Sequence, residues 1–185
     1  MHIEIEAKLK VDSLAKAARR LKALGAELLR VSVHTDTYFD DDKKSFIKSD
    51  KALRLRCMLT GQKEKAALTF KGPRRRGHFK QRQEIQFEVD NAKSAEMFLE
   101  AIGYKKSLVY QKKRCLWRLG GCEVALDELP LLGTFVEIEG PDEKKIATVQ
   151  KKLGLSDLPH IPESYATLMQ KRMRQLRITK KEILF

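Results

Sequence analysis

Long apolar segments are missing from this 185-residue chain. No hydrophobic run approaches the roughly 20 residues that a membrane-spanning helix needs, and charged residues stand within the first few positions. These absences argue against a transmembrane helix or a secretory leader, so we expect a cytoplasmic protein with no membrane partner. Hydrophobic residues still make up 42% of the sequence, which is enough to bury a core in one domain.

Cysteine and histidine are also scarce. The three cysteines, Cys57, Cys115 and Cys122, form no C-x-x-C pair and are too few for a disulfide framework. The four histidines show no zinc-ligand spacing, so we expect no zinc site. Any metal ion would therefore be held by oxygen ligands.

Aromatic residues make up only 7% of the chain, whereas lysine and arginine number 38 against 25 acidic residues. The resulting formal charge of +13 indicates an anionic partner, which composition alone leaves open among nucleic acid, a polyphosphate and a membrane surface. A general nucleic-acid binder interleaves aromatic side chains with its base-facing positions. The low aromatic content makes nucleic acid the weaker candidate without excluding it.

Alternating polar and apolar residues predict eight β-strands, and apolar spacings of three and four predict four helices. The predicted strands span residues 2–11, 28–40, 52–60, 65–72, 79–90, 107–119, 121–128 and 132–140. The predicted helices span residues 13–24, 91–102 and 142–153, with a fourth from about residue 163. Few long crossovers separate the strands, which favours an α+β fold: an antiparallel barrel, closed or nearly closed, with helices on its outside.

The first three predicted helices share a frame. Each begins near an aspartate suited to N-capping (Asp12, Asp90 or Asp142) and ends at a glycine (Gly25, Gly103 or Gly154). A shift of 78 residues superposes the first of these strand–Asp–helix–Gly patterns on the second, which suggests two equivalent halves. The same pattern of capping residues is also common in unrelated sequences. The expected buried faces are Leu14, Ala18 and Leu21; Ala95, Phe98, Leu99 and Ile102; and Ile146, Val149 and Leu153. Residues 40–51 and 71–78 are expected to be exposed loops, with Asp36 and Asp40 bordering the first of them.

Nearly every predicted strand has one charged face and one apolar face, as where Glu4, Glu6 and Lys8 alternate with Ile5 and Ala7. The common explanation is a half-buried sheet whose charged face lies in water. The amphipathic helices, however, need apolar strand faces to cover, and closing the sheet would then turn the charged faces inward. Such an interior needs a compensating ligand. A polyphosphate with Mg²⁺ or Mn²⁺ fits, because arginine and lysine bind phosphate oxygens and carboxylates bind hard cations.

The segment E-I-E-A-K at 4–8 is similar to the N-terminal E-x-E-x-K signature of the CYTH superfamily, the triphosphate tunnel metalloenzymes. Further matching segments follow in order: TDTYFD (35–40), LRLR (53–56), LTFKGP (68–73), RQEIQFEVD (82–90), KKR (112–114), LDELPLLGTFVEIE (126–139) and ESYATLM (163–169). The resemblance covers roughly residues 1–170, which we take as one domain, and is closest to the class IV adenylate cyclase-like group. It implies a closed eight-stranded antiparallel tunnel that binds a triphosphate. Residues 171–185, a basic tail that can be helical, lie outside the match.

The resemblance also implies roles for individual lumen residues. The metal ligands would be Glu4, Glu6, Glu137 and Glu139. The phosphate ligands would be Lys8, Arg54, Arg56, Lys71, Arg82, Lys112 and Arg114. Lys8 and Glu84 would be the catalytic candidates, with Gln86, Glu88 and Asp127 as further lumen candidates. Gln86 stands where the family often has a second glutamate and adds no negative charge, so the number of metal ions stays open.

Two reactions use this equipment. The leading interpretation is a class IV adenylate cyclase-like enzyme that converts ATP to cyclic AMP and pyrophosphate. The alternative is a triphosphatase that hydrolyses inorganic tripolyphosphate, thiamine triphosphate or a nucleoside triphosphate. A second alternative is a non-enzymatic module that binds polyphosphate or an RNA 5′ end, and such a module would have no need of the four metal-side glutamates.

Overall fold

The computed structural model describes residues 2–75 and 79–185. The strands are β1 (His2–Lys10), β2 (Glu27–Asp40), β3 (Ala52–Thr60), β4 (Lys63–Arg75), β5 (Lys80–Val89), β6 (Lys105–Leu119), β7 (Cys122–Leu129), β8 (Gly133–Glu139) and β9 (Glu182–Ile183). The helices are α1 (Leu14–Ala23), α2 (Ser45–Lys48), α3 (Ala92–Ala101), α4 (Glu143–Leu153) and α5 (Tyr165–Gln175). All eight predicted barrel strands are present, each with its ends within about three residues of the prediction.

Eight strands form a closed barrel in the order β2-β3-β4-β5-β1-β8-β7-β6, and β6 pairs back onto β2. Every neighbouring pair around the barrel is antiparallel. The short strand β9 adds to β6 in parallel. The predicted fold, a closed eight-stranded antiparallel barrel with outer helices, is therefore confirmed.

The strand register relates the two halves of the barrel by a local two-fold axis. Glu4 on β1 lies opposite Arg82 on β5, and His34 on β2 lies opposite Lys112 on β6. In both pairs the partners are 78 positions apart, as are the starts of α1 and α3. When a residue of an antiparallel pair faces its own equivalent, a two-fold axis passes between the strands. The internal repeat suggested by the sequence is thus supported by register.

The apolar core lies between the outer face of the barrel and the helices. In its largest cluster Leu21 of α1, with Ile146 and Val149 of α4, packs against Val136 and Ile138 of β8, and all five are fully buried. Burying such a side chain contributes roughly 1.5–3 kcal/mol. The helices therefore fix the apolar strand faces outward, which leaves the charged faces to line the interior.

Two of the predicted helix caps are wrong by one residue. Ser13, and not Asp12, accepts the hydrogen bond from the first turn of α1, and Asn91, and not Asp90, does so in α3. In each case the later side chain reaches the N–H group three residues on, which is the usual capping geometry. Asp142 caps α4 as predicted. The three predicted terminal glycines, Gly25, Gly103 and Gly154, adopt φ of 71°, 94° and 71°, the left-handed conformation that favours glycine.

Helix α3 buries only part of its predicted face. Leu99 is buried and Ala95 packs beside it, but Phe98 and Ile102 are 63% and 53% exposed, so this part of the prediction is wrong. The reason is that α3 turns the row formed by Ala92, Ala95 and Leu99 toward β3 and β4. Phe98 then stands about 100° around the helix from Leu99.

The two predicted loops contain regular structure. Residues 40–51 include α2, whose second and third N–H groups, at Phe46 and Ile47, donate to the carboxylate of Asp40 at 3.0 and 3.1 Å. Asp40 therefore borders a loop, as expected. Strand β4 extends into the predicted loop 71–78 as far as Arg75, and residues 76–78 lie outside the described residues.

The basic C-terminal segment is joined to the barrel. Helix α5 continues past residue 170 and ends at Gln175, and β9 then pairs with β6. Met173 and Ile183 are buried in the cluster that also holds Phe135 of β8. Within residues 2–75 and 79–185, the helices are too short or too polar to cross a membrane.

Candidate active site

A cavity of about 890 Å³ lies inside the barrel. Its lining includes side chains from all eight barrel strands and from the first residue of α5. Ten lysines and arginines line it, against seven glutamates. Because alternate residues of a strand point to the same side, the charged alternation in the sequence becomes a charged lumen in the folded barrel.

Fourteen of the fifteen lumen positions suggested by the sequence line this cavity. They are Glu4, Glu6, Lys8, Arg54, Arg56, Lys71, Arg82, Glu84, Gln86, Glu88, Lys112, Arg114, Glu137 and Glu139. The fifteenth, Asp127, is fully buried behind the wall, where it contacts Lys112 and Arg114. The fold thus brings the predicted residues into one space, while the role of each stays a prediction.

Four glutamates form an acidic wall on the neighbouring strands β1 and β8, namely Glu4, Glu6, Glu137 and Glu139. Across these strands Glu6 pairs with Glu139, and Lys8 pairs with Glu137. Burial, together with the nearby carboxylates of Glu4 and Glu6, raises the pKa of Glu139 to about 8. Carboxylates crowded in this way favour binding of a proton or a metal cation.

Three lysines pair with four of the seven glutamates of the lumen. The contacts are Lys71 with Glu4 (2.9 Å) and with Glu84 (2.9 Å), Lys80 with Glu6, and Lys8 with Glu137 (3.3 Å). Burying these charges is costly unless each has a partner. Lys8 and Lys71, two of the predicted phosphate ligands, are therefore counterions of Glu137 and Glu4, two of the predicted metal ligands.

Each half of the barrel holds one aspartate–arginine ion pair, and the two pairs lie at equivalent places. Asp36 on β2 accepts two hydrogen bonds from Arg56 on β3, at 2.6 and 2.7 Å. Arg114 on β6 donates two hydrogen bonds to Asp127 on β7. Asp36 and Arg114 are 78 positions apart, so the ion pair recurs with its charges exchanged. The expectation that Asp36 borders a loop is wrong, because Asp36 lies within β2. Burial alone would raise the pKa of Asp36, but Arg56 and Arg54 hold this pKa well below its usual range.

Lys112 and His34 face each other on the local two-fold axis. Burial and the neighbouring Arg114 lower the pKa of Lys112 to about 7, against the opposing effect of Asp127 at 3.3 Å. Burial also lowers the pKa of His34, and nearby cations lower it further, so this imidazole is neutral. Its Nε2 is hydrogen-bonded to Ser32 at 2.9 Å, whereas its Nδ1 is buried without a hydrogen-bond partner. A phosphate in the lumen would favour the protonated form of Lys112.

Arg82 is tied to the segment between α2 and β3. It donates a hydrogen bond to the backbone oxygen of Asp50 and lies 3.1 Å from the Asp50 carboxylate. That carboxylate also binds Arg74 at 3.0 Å. Arg82 is nearly fully buried and lines the cavity, and its Nε is buried without a hydrogen-bond partner.

The uncharged part of the lining is organised by a short hydrogen-bond chain. Arg54 donates to Thr69 at 3.2 Å, and Thr69 donates to Gln86 at 3.0 Å. Gln86 therefore acts as an acceptor inside the lumen and adds no negative charge.

Glu88 pairs with Lys65 at 3.3 Å, and both side chains are well exposed, which places them at the rim of the lumen.

The lining also contains residues that the sequence does not predict as functional, among them Lys80, His34 and Tyr165. The alternation that identifies Arg82 on β5 also includes Lys80, and the same period of two on β2 includes His34. The alternation in the sequence was therefore sufficient to predict that Lys80 and His34 face the lumen. Tyr165 enters the lumen from a helix, where strand periodicity gives no signal.

The acidic wall fits a divalent metal by its chemistry. Within the described parts of the chain, no three His, Cys, Asp or Glu side chains lie close enough together to form a ready-made metal site. The wall nevertheless offers only carboxylate oxygens, the ligands that Mg²⁺ and Mn²⁺ prefer. The raised pKa of Glu139 also shows that its burial beside Glu4 and Glu6 disfavours its negative charge. Glu4, Glu6, Glu137 and Glu139 are the residues that would hold the ion.

The chain is similar to known proteins along nearly its whole length. The sequence profile of the CYTH domain family matches residues 2–165. Adenylate cyclase CyaB of Aeromonas hydrophila is 28% identical over 180 residues, which cover 92% of this chain and 90% of that protein. A solved structure from Pyrococcus horikoshii matches with a TM-score of 0.79 at 26% identity, covering 91% of this chain and 99% of the other. A Hippeastrum protein, named as an adenylyl cyclase with a dominant triphosphatase activity, shares the fold with a TM-score of 0.70 at 18% identity, covering 91% of this chain and 95% of the other.

Proposed function

Because the chain belongs to the CYTH domain family, in general a family of triphosphate-processing enzymes, we propose that it is a divalent-metal-dependent enzyme that binds a triphosphate inside its barrel. The leading reaction is the conversion of ATP to cyclic AMP and pyrophosphate. One observation carries the proposal: an acidic wall and a set of buried arginines and lysines line the same closed lumen. The similarity to adenylate cyclase CyaB favours the cyclase reaction.

Substrate binding exchanges internal ion pairs for contacts with the ligand. Lys8, Lys71 and Lys80 would leave their glutamates for phosphate oxygens, and the glutamates of the acidic wall would hold the metal ion, so each buried charge would keep a partner. Arg56 and Arg114 are already held by aspartates and present fixed donors to the phosphate chain. When bound, the metal neutralises phosphate charge and polarises the phosphoryl group.

Lys8 and Glu84 are the catalytic candidates. Burial alone would raise the pKa of Glu84, but the charges of Lys71 and Arg54 lower it. The carboxylate of Glu84 is therefore ionised and can accept a hydrogen bond from an attacking hydroxyl group. Lys8 carries an ammonium group that stabilises negative charge developing on the phosphate. In the cyclase reaction the ribose 3′-hydroxyl attacks the α-phosphate and pyrophosphate leaves.

A triphosphatase is the second candidate, with water attacking the terminal phosphate of tripolyphosphate, thiamine triphosphate or a nucleoside triphosphate. The barrel alone does not select between the reactions, since the Hippeastrum protein with a dominant triphosphatase activity has the same fold. A non-enzymatic binding module is less well supported, because it would have no use for a wall of four glutamates.

The test incubates purified protein with ATP, tripolyphosphate or thiamine triphosphate, with Mg²⁺ or Mn²⁺, and identifies the products. Cyclic AMP with pyrophosphate supports the cyclase, and orthophosphate from tripolyphosphate supports the triphosphatase. Glu6→Gln should abolish metal-dependent turnover, whereas the matched control Glu100→Gln, on the exposed side of α3, should not. If no substrate is turned over and Glu6→Gln binds triphosphate like the wild type, the enzyme proposal fails.

A further inference from the structure

Helix α5 begins inside the wall of the lumen. Ser164 caps the helix and Tyr165 is its first residue, and both line the cavity. The backbone oxygen of Glu163, one residue earlier, accepts a hydrogen bond from the ammonium of Lys8 at 2.9 Å. The start of α5 therefore acts on the lumen directly, in addition to packing on the outside of the barrel.

The ring of Tyr165 contacts the two lysines that lie deepest in the lumen wall. The Nζ atoms of Lys8 and Lys112 lie 4.3 and 5.1 Å from the ring centroid, and both lysine side chains are 2% exposed. Phe135 packs against the ring of Tyr165 in a T-shaped geometry, with 5.2 Å between ring centroids. Attraction between an ammonium group and an aromatic face is strongest when water is excluded, as it is here. The ring of Tyr165 therefore contacts both ammonium groups inside the lumen wall.

The hydroxyl group of Tyr165 is buried without a hydrogen-bond partner. The residue as a whole is only 5% exposed. Asp127, Glu137 and Arg114 are near enough to influence its charge, and burial with the two carboxylates raises its pKa well above the usual range. The group is thus a neutral O–H donor in a charged lumen. Buried donors of this kind are rare in folded proteins and call for an explanation.

We propose that Tyr165 is a substrate-binding residue whose hydroxyl group donates a hydrogen bond to an oxygen of the bound triphosphate, beside the ammonium groups of Lys8 and Lys112. This inference rests on the proposed function. A phosphate oxygen is the matching acceptor, because the lysines that the ring contacts would draw a phosphate to this place. The donor stays unsatisfied in the protein because its partner arrives with the substrate.

The test compares Tyr165→Phe with wild type by calorimetric titration with tripolyphosphate, without metal, at fixed pH. Tyr165→Phe keeps the ring and loses the hydroxyl group, so affinity should fall by about tenfold, as for a hydrogen bond to a charged group. The thermal midpoint of the protein without ligand should stay the same or rise, because the variant removes an unsatisfied buried donor. A merely structural role would instead lower the midpoint and leave affinity unchanged.

Two further variants separate ring from hydroxyl and control for the substitution. Tyr165→Leu loses both, and should bind tripolyphosphate more weakly than Tyr165→Phe. Tyr104→Phe changes a tyrosine in the outer cluster beside Phe46 and should bind like the wild type. If wild type binds tripolyphosphate and Tyr165→Phe binds it equally well, this inference is overturned and the proposed function stands. If wild type itself does not bind tripolyphosphate, this inference is overturned, and the product assay with Mg²⁺ or Mn²⁺ decides the proposed function separately.

Discussion

Lys112 should make triphosphate binding depend on pH near neutrality. Its pKa in this structure is about 7, and a bound phosphate raises that pKa because it favours the ammonium form. Binding therefore takes up a proton, and the affinity for tripolyphosphate should fall as the pH rises from about 6 to about 8, approaching tenfold per pH unit at the upper end. The groups that face Lys112 are Arg114, Asp127, Arg56, Glu137, His34 and Tyr165. Calorimetric titrations in buffers of different ionisation enthalpy measure the proton uptake.

Lys112→Arg is the matched variant, since arginine stays charged throughout this range. Its affinity should decline less steeply with pH than that of the wild type. Titration of tripolyphosphate itself contributes equally to both proteins and cancels in the comparison. Equal slopes for the two proteins would contradict the assignment of this dependence to Lys112.

Asp36 should be important for stability as well as for positioning. Asp36→Asn leaves the Arg56 guanidinium without its buried counterion, so we expect the free energy of unfolding to fall by about 3 kcal/mol. Tripolyphosphate should stabilise this variant more than the wild type, because phosphate replaces the lost negative charge. Urea unfolding with and without tripolyphosphate measures both effects. The control Glu27→Gln breaks an exposed pair with Arg118 and should cost less than about 1 kcal/mol.

At the scale of elements, the position of α4 depends on one glycine. A Cβ atom on Gly140, between β8 and α4, would lie 2.7 Å from the sulfur of Cys122 and 3.0 Å from Ile146. Gly140→Ala should therefore force α4 away from the barrel and lower the free energy of unfolding by about 1–3 kcal/mol. In Gly72→Ala the new Cβ atom would lie 3.5 Å from the Cβ atom of Gln83, which is an ordinary contact. The free energy of unfolding of that variant should therefore stay close to that of the wild type. Equal losses in the two variants, measured by urea unfolding, would rule out this steric explanation.

The elements also show what sequence can predict. A strand with one charged and one apolar face has a clear period of two, so the sequence predicts β1 to β8 closely, and the fourteen lumen residues lie on the charged faces of these strands. Local competition is harder to resolve: Asp12 and Ser13 can both cap a helix, and only the path of the chain decides between them. The direction in which α3 leans on the barrel is likewise a tertiary property, which is why Phe98 was wrongly placed in the core. Ion pairs such as Lys80 with Glu6 join strands far apart in sequence and leave no local pattern.

For the whole molecule, most of the charge surplus lies outside the lumen. The chain carries +13, whereas the cavity lining has ten lysines and arginines against seven glutamates. The outer surface should therefore attract anions from a distance, and salt should screen this attraction. We expect the association rate constant of tripolyphosphate to fall about tenfold between low and high ionic strength, with a smaller change in the dissociation rate constant. Stopped-flow measurements over a range of KCl concentrations test this, and a salt effect confined to dissociation would contradict it.

The exchange of charges between the halves has a consequence for direction. Inorganic tripolyphosphate has two identical ends, so a perfectly symmetric cage would accept it equally well either way round. Asp36 with Arg56 in one half, and Arg114 with Asp127 in the other, keep the geometry of the repeat but reverse its sign. The local two-fold axis thus relates the backbones of the two halves but not their charges, so the two ends of a symmetric ligand would meet different side chains.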